Sequence, residues 1–351
     1  MKDVYLIGEI GQNHNGSLFL GQAIIDVVAA VNSRVADFFG SHPVKGFNAV
    51  KTTLRDLDYE MSPSSFCQPY DSPNSFGDTY KQHRESLELS YDDHFQLYNY
   101  AKRKELDFII TLCAPKCLGV LDLFQPDYIK VASRDLTNLP LLSSIAKTKI
   151  PMIISTGMAD MLHINVALET IAKVHTDVSI LHCNSIYPTP TEKLNLLSIS
   201  YLKDSFPEFN IGFSDHSIGI LAPSIAVSLG ATIIEKHITL SRSLKGSDQA
   251  GSLGEDGMFR MARDIRLTQK AVGTYSKTDY INSESARAKL ERSICASQDL
   301  FEGHILTESD FALLSPGTGI PYTRKDCLLG TKLIHNIAKH EQILLSDVSS
   351  V

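Results

Sequence analysis

Through the first 275 residues of this 351-residue chain, eight short apolar runs rich in β-branched residues alternate with amphipathic stretches, and that rhythm leaves few folds open. The runs fall at 4–10, 47–51, 107–112, 128–131, 152–155, 179–183, 211–214 and 232–237. Strands separated by helices cannot pair as hairpins. They pair in parallel, and eight such units predict an α/β fold closed as a (β/α)8 TIM barrel. The intervening stretches carry helix signals. Ser17 can cap the run LFLGQAIIDVVAAV, Ser90 and Asp93 form a capping box ahead of HFQLYNYAKRK, a helix over 218–229 stops at Gly230, and one over 258–272 stops at Gly273.

Two segments interrupt the rhythm. Residues 31–46 are long for a connection between helix and strand and read as an insertion. Residues 59–89, rich in Ser, Pro and Asp, read as a long loop on the catalytic face. The polar, aperiodic stretch 273–285 sets the domain organisation: a barrel over 1–275, a linker over 276–285 and a small β-rich domain over 286–351.

Hydrophobic residues at 43% and charged residues at 21% exclude a disordered chain, and a net charge of −7 argues against a nucleic-acid partner. The opening MKDVYLIGEIGQNHNG has too short an apolar stretch for an export signal and is broken by Glu9, so no membrane partner is expected. Six scattered cysteines read as reduced, mostly buried thiols of a cytoplasmic protein. Cys113 and Cys117, the close pair, are read as structural because no second pair completes a zinc site.

The chemistry is carried by what ends each run. Strand C-termini form the active-site face of a barrel, so polar residues there converge. The set comprises Glu9 with Asn13, His14 and Asn15; Lys51; Thr111; Lys130 and Ser133; Ser155; Asn184, Ser185 and Tyr187; Ser214, Asp215 and His216; and Glu235 with His237. Two lysines and several hydroxyls suit a small phosphate- or carboxylate-bearing ligand. His216 and His237 end neighbouring strands, where they either share a divalent ion or serve as hydrogen-bonded packing residues. Residue types and spacing alone reach a metal-assisted enzyme acting on a small phosphorylated substrate.

At these positions the chain resembles the sialic acid synthase family. The resemblance is carried by EIGQNHNG (9–16), AVK (49–51), FGDTYKQHRESLELS (76–90), YIKVAS (128–133), STGM (155–158), HCNSIYPTPTEKLNL (182–196), GFSDHSIGI (212–220), GATIIEKHITL (230–240) and KGSDQAGSL (245–253). The stretch ERSICASQDLFEGHILTESDFALLSPGTGI resembles the antifreeze-like (SAF) domain that ends these enzymes. The resemblance implies condensation of phosphoenolpyruvate (PEP) with an amino-sugar aldehyde, N-acetylmannosamine or a related hexosamine, to a nine-carbon 2-keto acid. It implies a divalent metal, manganese with magnesium or cobalt as alternatives, on His216 and His237. It assigns PEP to Lys51, Thr111, Lys130, Ser133, Ser155, Asn184 or Ser185, and Ser214, and the sugar to Thr53, Tyr187, Glu235 and Asp248. Glu9 is either the base toward water or a structural partner of Lys51. It also implies a domain-swapped homodimer.

Three departures bear on the acceptor. Thr53 stands where many relatives have a glutamine, Arg134 where a glycine is frequent, and Ser315 where bacterial members often have an arginine. Legionaminic, pseudaminic, deaminated and phosphorylated variants of the acceptor therefore stay open. The rival readings are a shorter-chain PEP-dependent aldol synthase, which generally lacks the C-terminal domain, a catalytically inert scaffold, and a C-terminal domain that binds ice or glycans directly.

Overall fold

The computed structural model describes residues 3–40, 44–274 and 284–349. The chain forms two compact units, Met1–Gly273 and Thr274–Val351. The break thus falls at the start of the polar stretch, and most of the expected linker lies outside the described residues.

The first unit is a closed parallel barrel of eight strands in sequential order. They are β1 (Tyr5–Gly11), β2 (Ala49–Leu54), β3 (Asp107–Leu112), β4 (Tyr128–Val131), β5 (Met152–Ser155), β6 (Val178–Cys183), β7 (Asn210–Asp215) and β8 (Ile233–His237). Parallel strands need crossovers, and helices supply them on the outside. After β3 the crossover is a 3-10 helix, Pro115–Asp122. Ile7, Ala49, Ile109, Ile153, Leu181 and Ile233 point inward and pack into a plug, none more than 6% exposed. That plug closes the barrel interior and leaves the strand C-termini to form the site.

Capping chemistry behaves as the residues dictate. Ser17 accepts from the Leu20 amide, and Ser90 and Asp93 make both arms of a capping box. Helices Leu221–Ser228 and Glu255–Val272 lie where expected, with ends shifted by a few residues.

Two expectations are corrected. The supposed insertion at 31–46 is largely the second half of one helix, Leu18–Phe39, with 41–43 outside the described residues. By length and composition this helix could cross a membrane, but Ile24, Ile25, Val28, Val31 and Val35 are fully buried in the main core. Its apolar face is consumed in the barrel's outer layer. The loop at 59–89 contains short helices, Pro63–Phe66 and Tyr80–Glu85, and follows another, Leu57–Glu60.

The second unit has two small antiparallel sheets. One pairs Ser293–Ala296 with Phe311–Leu314, the other Lys332–Leu333 with Val348–Ser349. Ile294, Ala296, Leu300, Leu306, Leu328 and Ile343 belong to a small buried core of this unit. All six cysteines are free.

Candidate active site

Strand register sets the site. Glu9 lies opposite Lys51 on one side and His237 on the other, Thr111 lies opposite Lys130, and Ser214 lies opposite Glu235. Because side chains alternate across a strand, these residues form one inward-facing belt above the plug. A bulge between Glu9 and Gly11 releases β1 into the following turn. Gly11 has φ 54°, and a Cβ there would meet Glu9 Oε1 at 2.9 Å and the His237 ring at 3.2 Å. Both the left-handed backbone and the close approach require glycine.

The belt opens on a cavity of about 460 Å³. Lys51 Nζ pairs with Glu9 Oε2, stands 3.8 Å from Glu235 Oε2 and donates to Thr111 Oγ1 at 3.0 Å. Lys130 Nζ donates to Ser155 Oγ at 2.5 Å, and Ser214 Oγ donates to Glu235 Oε1 at 2.9 Å. Ser133 Oγ accepts from the Gly157 amide at 3.0 Å. The two carboxylates diverge. Burial dominates at Glu9 and pushes its carboxyl up. Burial acts on Glu235 in the same sense, but Lys130 and Lys51 outweigh it and hold it at about 2. Burial pulls the Lys130 ammonium down, whereas the two carboxylates outweigh burial at Lys51 and push it up.

His216 Nδ1 bonds the Asn184 carbonyl oxygen at 2.7 Å, and Nε2 bonds the Tyr187 hydroxyl at 2.6 Å. The ring stacks on Tyr187 at 3.9 Å and lies 5.9 Å from the His237 ring. Burial, with His237 nearby, lowers His216 to about 3, so the imidazole is neutral and Nδ1–H donates to the carbonyl. The Nε2 lone pair is then an acceptor facing the cavity. His237 Nδ1 is buried and makes no hydrogen bond. Two imidazoles, one held neutral by burial and oriented by a carbonyl, are a donor set suited to a divalent ion. Among the described residues no cluster of three or more His, Cys, Asp or Glu is placed to ligate one. An ion here would complete its shell from water or substrate.

Thr53, Ser185, Tyr187 and Asp248 also line the cavity, as does every residue to which the resemblance gives a role except Asn184. The Asn184 side chain is spent inside its loop, donating to the Lys193 carbonyl and accepting from the Ile186 amide. Asn13 likewise turns away, tying the first turn to Ile238 and Ser252. Asp215 points outward to a buried ion pair with Lys236 at 2.6 Å. The sequence reading missed Arg55, Arg84 and Cys183, which line the cavity. Arg55 ends just past β2 and was legible by the rule that found the others; Arg84 lies in the segment read as loop.

The model of the NeuB family matches residues 43–277, and that of the SAF domain matches 291–349. The chain is 31% identical to the N,N'-diacetyllegionaminic acid synthase of Legionella pneumophila over 99% of its own length and 95% of that protein's. It is 30% identical to the human N-acetylneuraminate-9-phosphate synthase over 97% of itself and 91% of that protein. A crystal structure of an N-acetylneuraminic acid (sialic acid) synthetase from Leptospira borgpetersenii, in complex with citrate, superposes with a TM-score of 0.68. That pair shares 27% identity, covering 82% of this chain and 93% of that one.

Proposed function

The chain belongs to the NeuB family, and from that premise we propose that its cavity joins C3 of PEP to the aldehyde carbon of an open-chain hexosamine. The products are a nine-carbon 2-keto sugar acid and inorganic phosphate. The observation that carries this reading is the belt itself. Two buried lysines and three inward hydroxyls (Ser133, Ser155 and Ser214) face the same cavity as His216 and His237.

In this reading Lys130 and Lys51 oppose the phosphate and carboxylate of PEP, with Thr111, Ser133, Ser155, Ser185 and Ser214 as hydroxyl donors. Tyr187, Glu235, Asp248 and Thr53 hold the sugar. A divalent ion, manganese first and magnesium or cobalt as alternatives, would be held by His216 and His237, and when bound it supplies Lewis acidity toward the aldehyde oxygen. Bond formation from C3 leaves positive character at C2, where water adds. Glu9 takes the proton that water releases, as a carboxylate beside the belt can. The resulting adduct loses phosphate by C–O cleavage, which restores the carbonyl at C2.

The test is phosphate release by purified protein given PEP, manganese and a panel of hexosamines. Release should depend on the acceptor, stop with a chelator, and vanish in a folded His216→Ala variant. Release without acceptor, or normal turnover in that variant, would count against the proposal.

A further inference from the structure

One wall of the cavity has no assigned task. Arg55 follows β2, Arg134 follows β4, and Arg84 comes from helix Tyr80–Glu85; all three line the cavity. In an eight-stranded barrel, positions after β2 and β4 lie across the opening from β6 and β8, which bring Tyr187 and His237. The wall therefore faces the far end of a ligand whose reacting carbon sits near the histidines.

Arg55 and Arg84 are incompletely satisfied, whereas Arg134 also pairs with Asp135 at 3.4 Å. Glu60 accepts from Arg55 at 2.5 Å and pairs with Arg134, and Arg84 donates to Gln12 Oε1 at 2.5 Å. Glu88 stands 3.8 Å from Arg55 and 3.9 Å from Arg84, within ion-pairing distance but too far for a hydrogen bond. As a result Arg55 Nε, Arg84 Nε and NH2, and Glu60 Oε2 are buried without a hydrogen bond. Arg84 itself is only 6% exposed. Buried donors left open are costly, and a guanidinium fork matches the oxygens of phosphate or carboxylate. Glu60 supplies such oxygens from a four-residue helix, Leu57–Glu60, a short segment that a competing anion can displace. In the synthase reading PEP has its own set of lysines and hydroxyls.

We infer that the acceptor carries an anionic group, a phosphate monoester or a carboxylate, at the end remote from its aldehyde. That group is seated on Arg55, Arg84 and Arg134, with the Glu60 carboxylate as the anion it displaces. This rests on the synthase reading and narrows its substrate class.

The experiment measures kcat/KM for N-acetylmannosamine, its 6-phosphate and the corresponding uronic acid, with KM for PEP followed in parallel. Wild type should favour an anionic acceptor over the neutral one by about tenfold to a hundredfold, the factor one charge-assisted hydrogen bond commands. Whichever anionic sugar is preferred identifies the group. Arg134→Gly should cut that ratio at least tenfold, and Glu60→Gln should lower KM for the anionic acceptor. A wild-type preference for the neutral sugar, or an Arg134→Gly effect confined to KM for PEP, overturns the inference. If no acceptor turns over, the synthase reading fails on its own. Calorimetric titration with N-acetylmannosamine 6-phosphate then decides the wall: Arg134-dependent binding upholds it, and no binding overturns it.

Discussion

Lys51 sits between two buried carboxylates, Glu9 and Glu235, at the floor of the cavity. Such a group is tolerable only because each charge has a partner and the ligand adds more. Its members were legible in the sequence because each ends a short apolar run; that they pair was not, since pairing depends on register. A second buried pair of titrating residues gives a stability prediction. His14 and His94 are fully enclosed, and burial lowers them to about 4 and about 3 from 6.5. Below pH 6.5 the unfolded chain takes up protons that the native histidines refuse. Stability therefore falls as pH drops from 6.5 toward 4, by up to about 1.4 kcal/mol per pH unit for each histidine. Urea unfolding across that range should show a shallower fall in His94→Gln, and an unchanged slope would contradict this account.

At the scale of elements, β7 and β8 do more than deliver His216 and His237. Asp215 and Lys236 point out of the barrel, pair at 2.6 Å with no exposure to water, and gather the turn through the Ser217 amide and carbonyl. Removing one partner strands the other, so Asp215→Ala should cost roughly 3–5 kcal/mol in denaturant unfolding. The double variant Asp215→Leu, Lys236→Met should recover most of that loss; a double variant as unstable as the single one would show that the pair contributes beyond compensating charge. The eight strands were readable because their apolar runs are short and separated. Helix Leu18–Phe39 was cut short in the reading because Asn32, Ser33 and Arg34 interrupt its apolar pattern, yet they lie on a helix whose other face is buried. The segment 59–89 was read as a long loop because its helices are only four to six residues long, too short for an amphipathic period to show. Arg84 and Glu60 were lost with it, since their meeting at the cavity depends on the path of that segment.

The whole chain carries the family's two units in the family's order, and relatives match it nearly end to end. The resemblance implies a homodimer, and sedimentation equilibrium should then return twice the 38.7 kDa chain mass; a monomer at assay concentration would contradict that expectation. The central claim is that the cavity makes a carbon–carbon bond rather than merely hydrolysing PEP. Carbon-13 at C3 of PEP follows that bond directly. The account expects the label, read by NMR, as a methylene between the keto carbon and the former aldehyde carbon of an acid three carbons longer than the acceptor, with one phosphate released per acid. Label recovered in pyruvate, with the acceptor unchanged, would contradict it.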